Sequence, residues 1–369
     1  MQFGLNESQE MLKSNARKFF AAECPMEQVR RLMETPTAYD ASLWAKMVEQ
    51  GYTGIIFPEE FCGVGLGTLD LILLMEEAGR ALLPGPLFST VALAGAAILA
   101  VATSEQKKKY LEKIAAGEAR ATLALLEASA SWEPAELTMT ASPSGNLTGE
   151  KLFVPDAGVA DFLVVVAKNG VYVVDAKATG LKIAPMHGLD LTRKIYAVTF
   201  ADTAAEKIGE TAALARAMDV AASALAAELV GGMQRTLDIT VEYAKLRKQF
   251  GKPIGSYQAV QHQCADMYLE TESSRSAAYY AAWTLQEGAP HATVAAAIAK
   301  MYASDAARTV GNRGIQVHGG MGFTWENDVH LYYRRAKASE TMLGDASFHR
   351  ARIAREVIDK VSTQTAKCA

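Results

Sequence analysis

Apolar positions along the chain keep two different periods, and the change between them divides it. Near the N-terminus Leu12, Ala16, Phe19 and Phe20 recur at helical spacing, with Lys13, Arg17 and Lys18 on the other face. Tyr39-Asp40-Ala-Ser-Leu-Trp44 offers an Asp or Ser cap ahead of Leu43-Trp44-x-x-Met47-Val48. Residues 56–67, Ile-Phe-Pro-Glu-Glu-Phe-Cys-Gly-Val-Gly-Leu-Gly, read as a Pro/Gly loop between helices. Glu76-Glu-Ala-Gly-Arg80 ends the next helix, and Gln106-Lys-Lys-Lys109 reads as a solvated face. The Ala-rich apolar run 91–101 falls far short of the roughly 20 residues of a membrane span and reads as a buried helix. An N-terminal helical domain is expected over residues 1–119.

At about residue 120 the period drops to two. Residues 122–126, 137–141, 162–167, 171–174 and 195–200 are short β-rich runs. Pro143-Ser-Gly-Asn146 and Lys168-Asn-Gly170 separate some of them, and Asn-Gly is a hairpin signal. Strands so spaced predict a small β-barrel or sandwich over 120–206. Helical spacing then returns in an Ala-rich stretch, predicting long helices over 212–245, 258–286, 293–317 and 327–342 and a last one after Gly344. Four long helices joined by short loops make a four-helix bundle over 207–369. The fold class is therefore a multi-domain α+β chain.

Composition narrows the function. The chain has 369 residues, half of them hydrophobic, and a net charge of −4. That charge argues against nucleic acid or an anionic membrane surface as partner. Cys24, Cys62, Cys264 and Cys368 form no CxxC pair, so neither a metal site nor a disulfide framework is expected. The N-terminus lacks the basic start and apolar run of a signal peptide, which leads to a cytoplasmic expectation.

Candidate chemistry gathers in two stretches. Gln316-Val-His-Gly319-Gly320-Met-Gly322 packs three glycines into four residues between two helices, where backbone can take φ > 0 and approach a ligand or another chain. Upstream, Leu246-Arg-Lys-Gln-Phe-Gly-Lys-Pro-Ile-Gly-Ser-Tyr-Gln258 carries Arg247, Phe250, Gly251 and Gln258. Together these resemble the acyl-CoA dehydrogenase family of FAD enzymes, which oxidise acyl-CoA thioesters at Cα–Cβ. The turn Pro58-Glu-Glu-Phe-Cys62-Gly-Val-Gly65 resembles the family's Pro-Glu-x-x-Gly-Gly-x-Gly, with Cys62 at the first glycine.

The resemblance implies FAD between the β-domain and the bundle, with a neighbouring subunit completing the site. Arg247 would meet the pyrophosphate, where a guanidinium fork suits two phosphate oxygens. Phe250 would pack near the adenosine, and Gln258, Gln316, Gly319 and Gly320 would approach the adenine and ribose. It also implies an acyl-CoA substrate, an electron-transfer flavoprotein as acceptor and a homo- or heterotetramer built as a dimer of dimers.

Two places depart from the family. Its Thr-Glu-Pro-x-x-Gly-Ser-Asp and Trp-Ile/Val-Thr segments correspond to Leu126-Glu127-Ala-Ser-Ala-Ser-Trp132-Glu-Pro134 and Phe153-Val154-Pro155. Pro155 has neither hydroxyl nor N–H to offer a flavin N5 edge. The two positions at which the family carries its proton-removing glutamate hold Leu343 and Ala221. Asp345 is the candidate catalytic substitute and also an N-cap signal; Glu340 and Glu228 follow it. His318 reads as structural, Trp325 and Tyr332 as packing aromatics, and His349, within the final helix, belongs to no evident constellation. The reading is an acyl-CoA dehydrogenase or a subunit of one, akin to the paired members that handle bulky steroid thioesters. The alternatives are a non-catalytic partner subunit and another flavin reaction, a monooxygenase or desulfinase, on the same fold.

Overall fold

A computed structural model describes residues 4–359; Cys368 lies outside them. Helices α1 (Glu7–Glu23), α2 (Met26–Met33), α3 (Ala41–Glu49) and α4 (Thr68–Arg80) come first. A wide-turned π-helical segment, Phe88–Gly95, runs into α5 (Ala96–Val101), followed by α6 (Ser104–Ala115). Seven strands follow: β1 (Ala121–Ala124), β2 (Asn146–Pro155), β3 (Phe162–Ala167), β4 (Gly170–Asp175), β5 (Leu181–Met186), β6 (Ile195–Ala204) and β7 (Glu206–Gly209). Then come α7 (Ala215–Leu246), the short pair β8 (Lys248–Gln249) and β9 (Lys252–Pro253), α8 (Gln258–Gln286), α9 (Ala292–His318), α10 (Val329–Thr341) and α11 (Ala346–Ala354). The chain thus has an N-terminal helical part, middle β-sheets and a C-terminal bundle. By contact the residues fall into two compact units: Glu27–Leu71 with Pro84–Ala221, and Ile72–Leu83 with the described parts of Met1–Met26 and Ala222–Ala369.

The first unit holds the sheets. One has strand order β1-β3-β4-β7, with β1 parallel to β3, and the other is antiparallel in the order β2-β6-β5. Tyr196, Val198 and Phe200 alternate inward along β6 and meet Leu163, Val165 and Val174 of the other sheet in one core. The expected strand at 137–141 is absent apart from one bridge between Ala141 and Leu147. Its backbone donors are taken instead by a side chain: Thr138 N–H and Met139 N–H both donate to the Glu127 carboxylate. The run is buried over 91–98 as expected and surfaces at Ala100, and its first half is wound as a π-helix.

The second unit is built on the bundle helices α7–α10. Leu229, Met233 and Leu237 of α7, Met267, Ala278 and Ala281 of α8, and Ala299, Ala303 and Ala307 of α9 form its core, with Ala336 of α10 against it. Alanines there let the axes approach closely. Glycines do the same for α4 and α7. A Cβ on Gly79 would meet the Glu228 carbonyl oxygen at 2.0 Å, and one on Gly231 would meet that of Glu76 at 1.8 Å. Lys13 and Arg17 of α1 are not simply solvated: Lys13 Nζ donates to Glu76 at 2.9 Å, and Arg17 grips Glu77 through two nitrogens. Among the described residues no helix is long and apolar enough to cross a membrane. Nor, among them, are three or more His, Cys, Asp or Glu side chains grouped to hold a metal.

Candidate functional site

Helix α9 ends because Gly319 turns left-handed, with φ +62°, and its N–H closes back on the carbonyls of Ile315 and Gln316. A 3-10 turn, Gly319–Phe323, carries the chain onward. His318 is buried beside it, hydrogen-bonded through Nδ1 to the Gly314 carbonyl at 2.8 Å and stacked on Tyr243. Burial lowers its pKa, which the Gly314 contact opposes, so the ring works as a neutral brace.

The three glycines have different reasons to be glycine. Gly322 is fixed by packing, since its Cβ would lie 2.8 Å from the Ile315 carbonyl, and Gly319 by its φ. Gly320 has neither reason: its backbone is ordinary and nothing lies within 4 Å of where a Cβ would stand. The open space is one wall of a pocket of about 460 Å³ lined by Asn312, Ile315, Gln316, Gly319, Gly320, Phe323 and Tyr333. Two side-chain amides, bare backbone and two aromatic rings suit a planar heterocycle with hydrogen-bonding edges.

Arg247, Phe250 and Gln258 do not line that pocket. Arg247 follows α7 and is exposed, and Gln258 opens α8, also exposed. Between them β8 and β9 form a two-residue hairpin whose tip is Phe250 (φ +52°) and Gly251 (φ +81°). Left-handed angles at both positions define a type I′ turn, in which Asn-Gly is the favoured pair. A phenylalanine there is strained, and it is also 94% exposed. Its strain is therefore not offset by packing in the chain's own core.

In the sheet unit, Glu127 accepts from buried Lys151 Nζ at 2.8 Å and from the Thr138 hydroxyl at 2.6 Å. Burial opposes the charge, but these donors hold the carboxyl at about 2. Phe153 is left-handed and partly exposed, while the Pro155 carbonyl accepts from the Thr122 hydroxyl at 2.6 Å. Pro155, at the position corresponding to the family's flavin-edge segment, has neither a side-chain hydroxyl nor an N–H to offer.

The family's two carboxylate positions are apolar and buried: Leu343 is 4% exposed and Ala221 1%. Asp345 is the N-cap of α11, accepting from Phe348 N–H at 2.8 Å. Glu340 pairs with Lys337 and Arg308, and Glu228 pairs with buried Arg335. Tyr332 is buried, with its hydroxyl on the Arg80 carbonyl at 2.9 Å, whereas Trp325 is exposed under Arg334.

Sequence reasoning missed the pocket residues Asn312 and Tyr333, and it missed two buried lysines, Lys151 and Lys300. A signal for Lys300 existed, because it is the lone charge in the apolar stripe Ala296, Ala299, Ala303 and Ala307 of α9.

The chain is similar to known proteins along nearly its whole length. Residues 6–118 match the N-terminal domain of acyl-CoA dehydrogenases, and residues 194–358 match their C-terminal domain. Acyl-CoA dehydrogenase IpdE2 of Mycolicibacterium smegmatis is 33% identical, covering 96% of this chain and 100% of its own. A variant of the Tcur3481-Tcur3483 steroid ACAD superposes with a TM-score of 0.90 at 32% identity, over 96% of this chain and 99% of that one. The ChsE4-ChsE5 complex from Mycobacterium tuberculosis gives a TM-score of 0.88 at 27% identity, over 97% and 99%. With both terminal domains matched and a relative so similar along its whole length, the chain belongs to the acyl-CoA dehydrogenase family.

Proposed function

We propose that this chain is a subunit of an FAD-dependent acyl-CoA dehydrogenase that desaturates an acyl-CoA thioester at Cα–Cβ, and that it works beside a partner chain carrying the proton-removing carboxylate. The observation behind it is a contrast within the chain. The elements that would reach FAD from a neighbour are built and exposed, whereas both of the family's carboxylate positions are buried and apolar. FAD is the cofactor of the family.

When bound, FAD supplies the hydride acceptor for Cβ. The chain's own residues bind and orient. Arg247 would hold the pyrophosphate through its guanidinium, Phe250 would cover the adenosine, and Gln258 and Gln316 would offer amides to the adenine and ribose. Gly319 and Gly320 leave room for close approach. Dehydrogenation also needs a carboxylate at the α-proton, which we assign to the partner. Asp345, two residues past the family position, is the first candidate for a base within this chain, ahead of Glu340 and Glu228, which are held in ion pairs. A dimer of dimers with an unlike chain, delivering electrons to an electron-transfer flavoprotein, fits this division. The expected organisation remains 1–119, 120–206 and 207–369.

The test is a visible spectrum of the chain purified alone and then with its neighbouring gene product. Yellow only in the pair, with turnover, is the expected result. Yellow and active alone shows a self-sufficient enzyme, and colourless in both overturns the assignment.

A further inference from the structure

Between α10 and α11 the chain makes a strained turn. Leu343 is left-handed at φ +61° and Gly344 follows at φ +94°. A left-handed residue with a side chain is strained and persists only where its surroundings hold it. Gly344 admits no side chain, since a Cβ would stand 2.2 Å from the Phe348 ring. The end of α10 and this turn leave three carbonyls, those of Glu340, Leu343 and Gly344, to be satisfied away from the helix ladder.

Two side chains from other helices meet all three. Lys300 of α9 is fully buried, and its Nζ donates to the Glu340 carbonyl at 3.1 Å, the Gly344 carbonyl at 3.0 Å and Ser304 Oγ at 2.8 Å. An ammonium has three donors, and each has an acceptor. His349 of α11 is 1% exposed, and its Nε2 lies 3.0 Å from the Leu343 carbonyl. A carbonyl only accepts, so Nε2 carries the proton. Burial, reinforced by the charge of Lys300, lowers the His349 pKa to about 3, and the ring stays neutral.

Neither neighbouring carboxylate accepts from Lys300 Nζ. Glu340 turns to Lys337 and Arg308, and Asp345 turns to the Phe348 N–H. An ordinary glycine cap ends a helix without burying a charge, and burying an ammonium is costly. That cost points to a turn whose shape matters.

We propose that Lys300 and His349 are positioning residues that lock residues 341–345 in this strained form, so that the turn at which the family places its carboxylate keeps a fixed shape during turnover. The last clause rests on the dehydrogenase reading; the lock itself does not.

The test is amide hydrogen exchange and steady-state kinetics on the folded protein, with its partner if one co-purifies, for Lys300→Met, His349→Phe and His349→Gln. Lys300→Met and His349→Phe are expected to speed exchange about tenfold over residues 344–349 while the α8 and α9 core amides stay protected. In the active enzyme they lower kcat and leave KM nearly unchanged. His349→Gln keeps an N–H for the Leu343 carbonyl and restores both readouts. Acceleration spread evenly through the bundle, or none at the turn, overturns the lock. Local loosening with kcat unchanged overturns its role in turnover. Should Lys300→Met fail to fold, the two His349 variants decide. A wild-type protein without dehydrogenase activity sinks the functional reading, and the exchange data still judge the lock.

Discussion

Gly231 of α7 lies so close to Glu76 of α4 that a methyl group on it would sit 1.8 Å from the Glu76 carbonyl oxygen. The neighbour is backbone inside a helix and cannot rotate away. Gly231→Ala is therefore expected to destabilise the protein by about 3 kcal/mol or more, read as a lowered denaturation midpoint. A melt within a degree of wild type would contradict the close crossing.

Gly320 gives the opposite expectation. Alanine there meets open space at an ordinary backbone angle, so Gly320→Ala should leave the melting temperature unchanged or slightly raised. Flavin retention should fall, because the methyl group enters the pocket that Gln316 shares. Arg247→Ala should weaken retention by about 1.5–3 kcal/mol, as for a charged hydrogen bond. Flavin stoichiometry measured by absorbance checks both, and unchanged stoichiometry in both variants removes the cofactor assignment.

Phe250 separates stability from function. Asparagine tolerates the left-handed angle at the hairpin tip, so Phe250→Asn should stabilise the chain by about 1 kcal/mol. The same change removes an exposed ring that packs nothing within its own unit, and FAD retention should drop. Loss of stability in thermal melts would show that the ring packs internally after all.

Asp345 is tested by Asn and Ala. Asparagine caps a helix nearly as well as aspartate, so Asp345→Asn should melt like wild type, whereas Asp345→Ala should cost about 1 kcal/mol. The observed cap geometry predicts normal anaerobic flavin bleaching by acyl-CoA in the Asn variant. Abolished bleaching with an intact melt would instead make Asp345 the base.

The Glu127–Lys151 pair sets an acid limit. The Glu127 carboxyl is lowered from 4.5 to about 2, so in the window between them the unfolded chain binds the extra proton. The pair's contribution is complete above the unfolded value and is lost as pH falls towards 2. Melts from pH 2 to 7 should show a shallower slope in Glu127→Gln. Lys151→Met strands a buried carboxylate and should cost about 3–5 kcal/mol near neutrality.

How much of this was legible depended on range. The helix expected over 258–286 is Gln258–Gln286, because long periodic segments carry their own signal. The left-handed angle at Cys62 explains why a glycine is usual there, and that too is local. Strand β2 escaped notice because two register shifts break its alternation. The run 137–141 looked like a strand and was claimed by Glu127 from upstream, which no periodicity reveals. In the site, the glycines and Arg247 stood out in the sequence. Lys300 and His349 did not, since their partners are backbone carbonyls, which have no letter.

Ser304 gives the Lys300 anchor one more property. Burial brings the Lys300 pKa down to about 7, against the pull of Glu340 and Asp345, which brings its neutral form within reach. A hydroxyl is both donor and acceptor. With the lysine charged, Ser304 Oγ receives an N–H; with it neutral, the hydroxyl can rotate and give its own hydrogen to the amine lone pair. The Glu340 and Gly344 carbonyls keep an N–H each in either state. The joint between α10 and α11 thus tolerates a change of charge at its centre without a change of geometry, a hinge pin indifferent to the acidity around it.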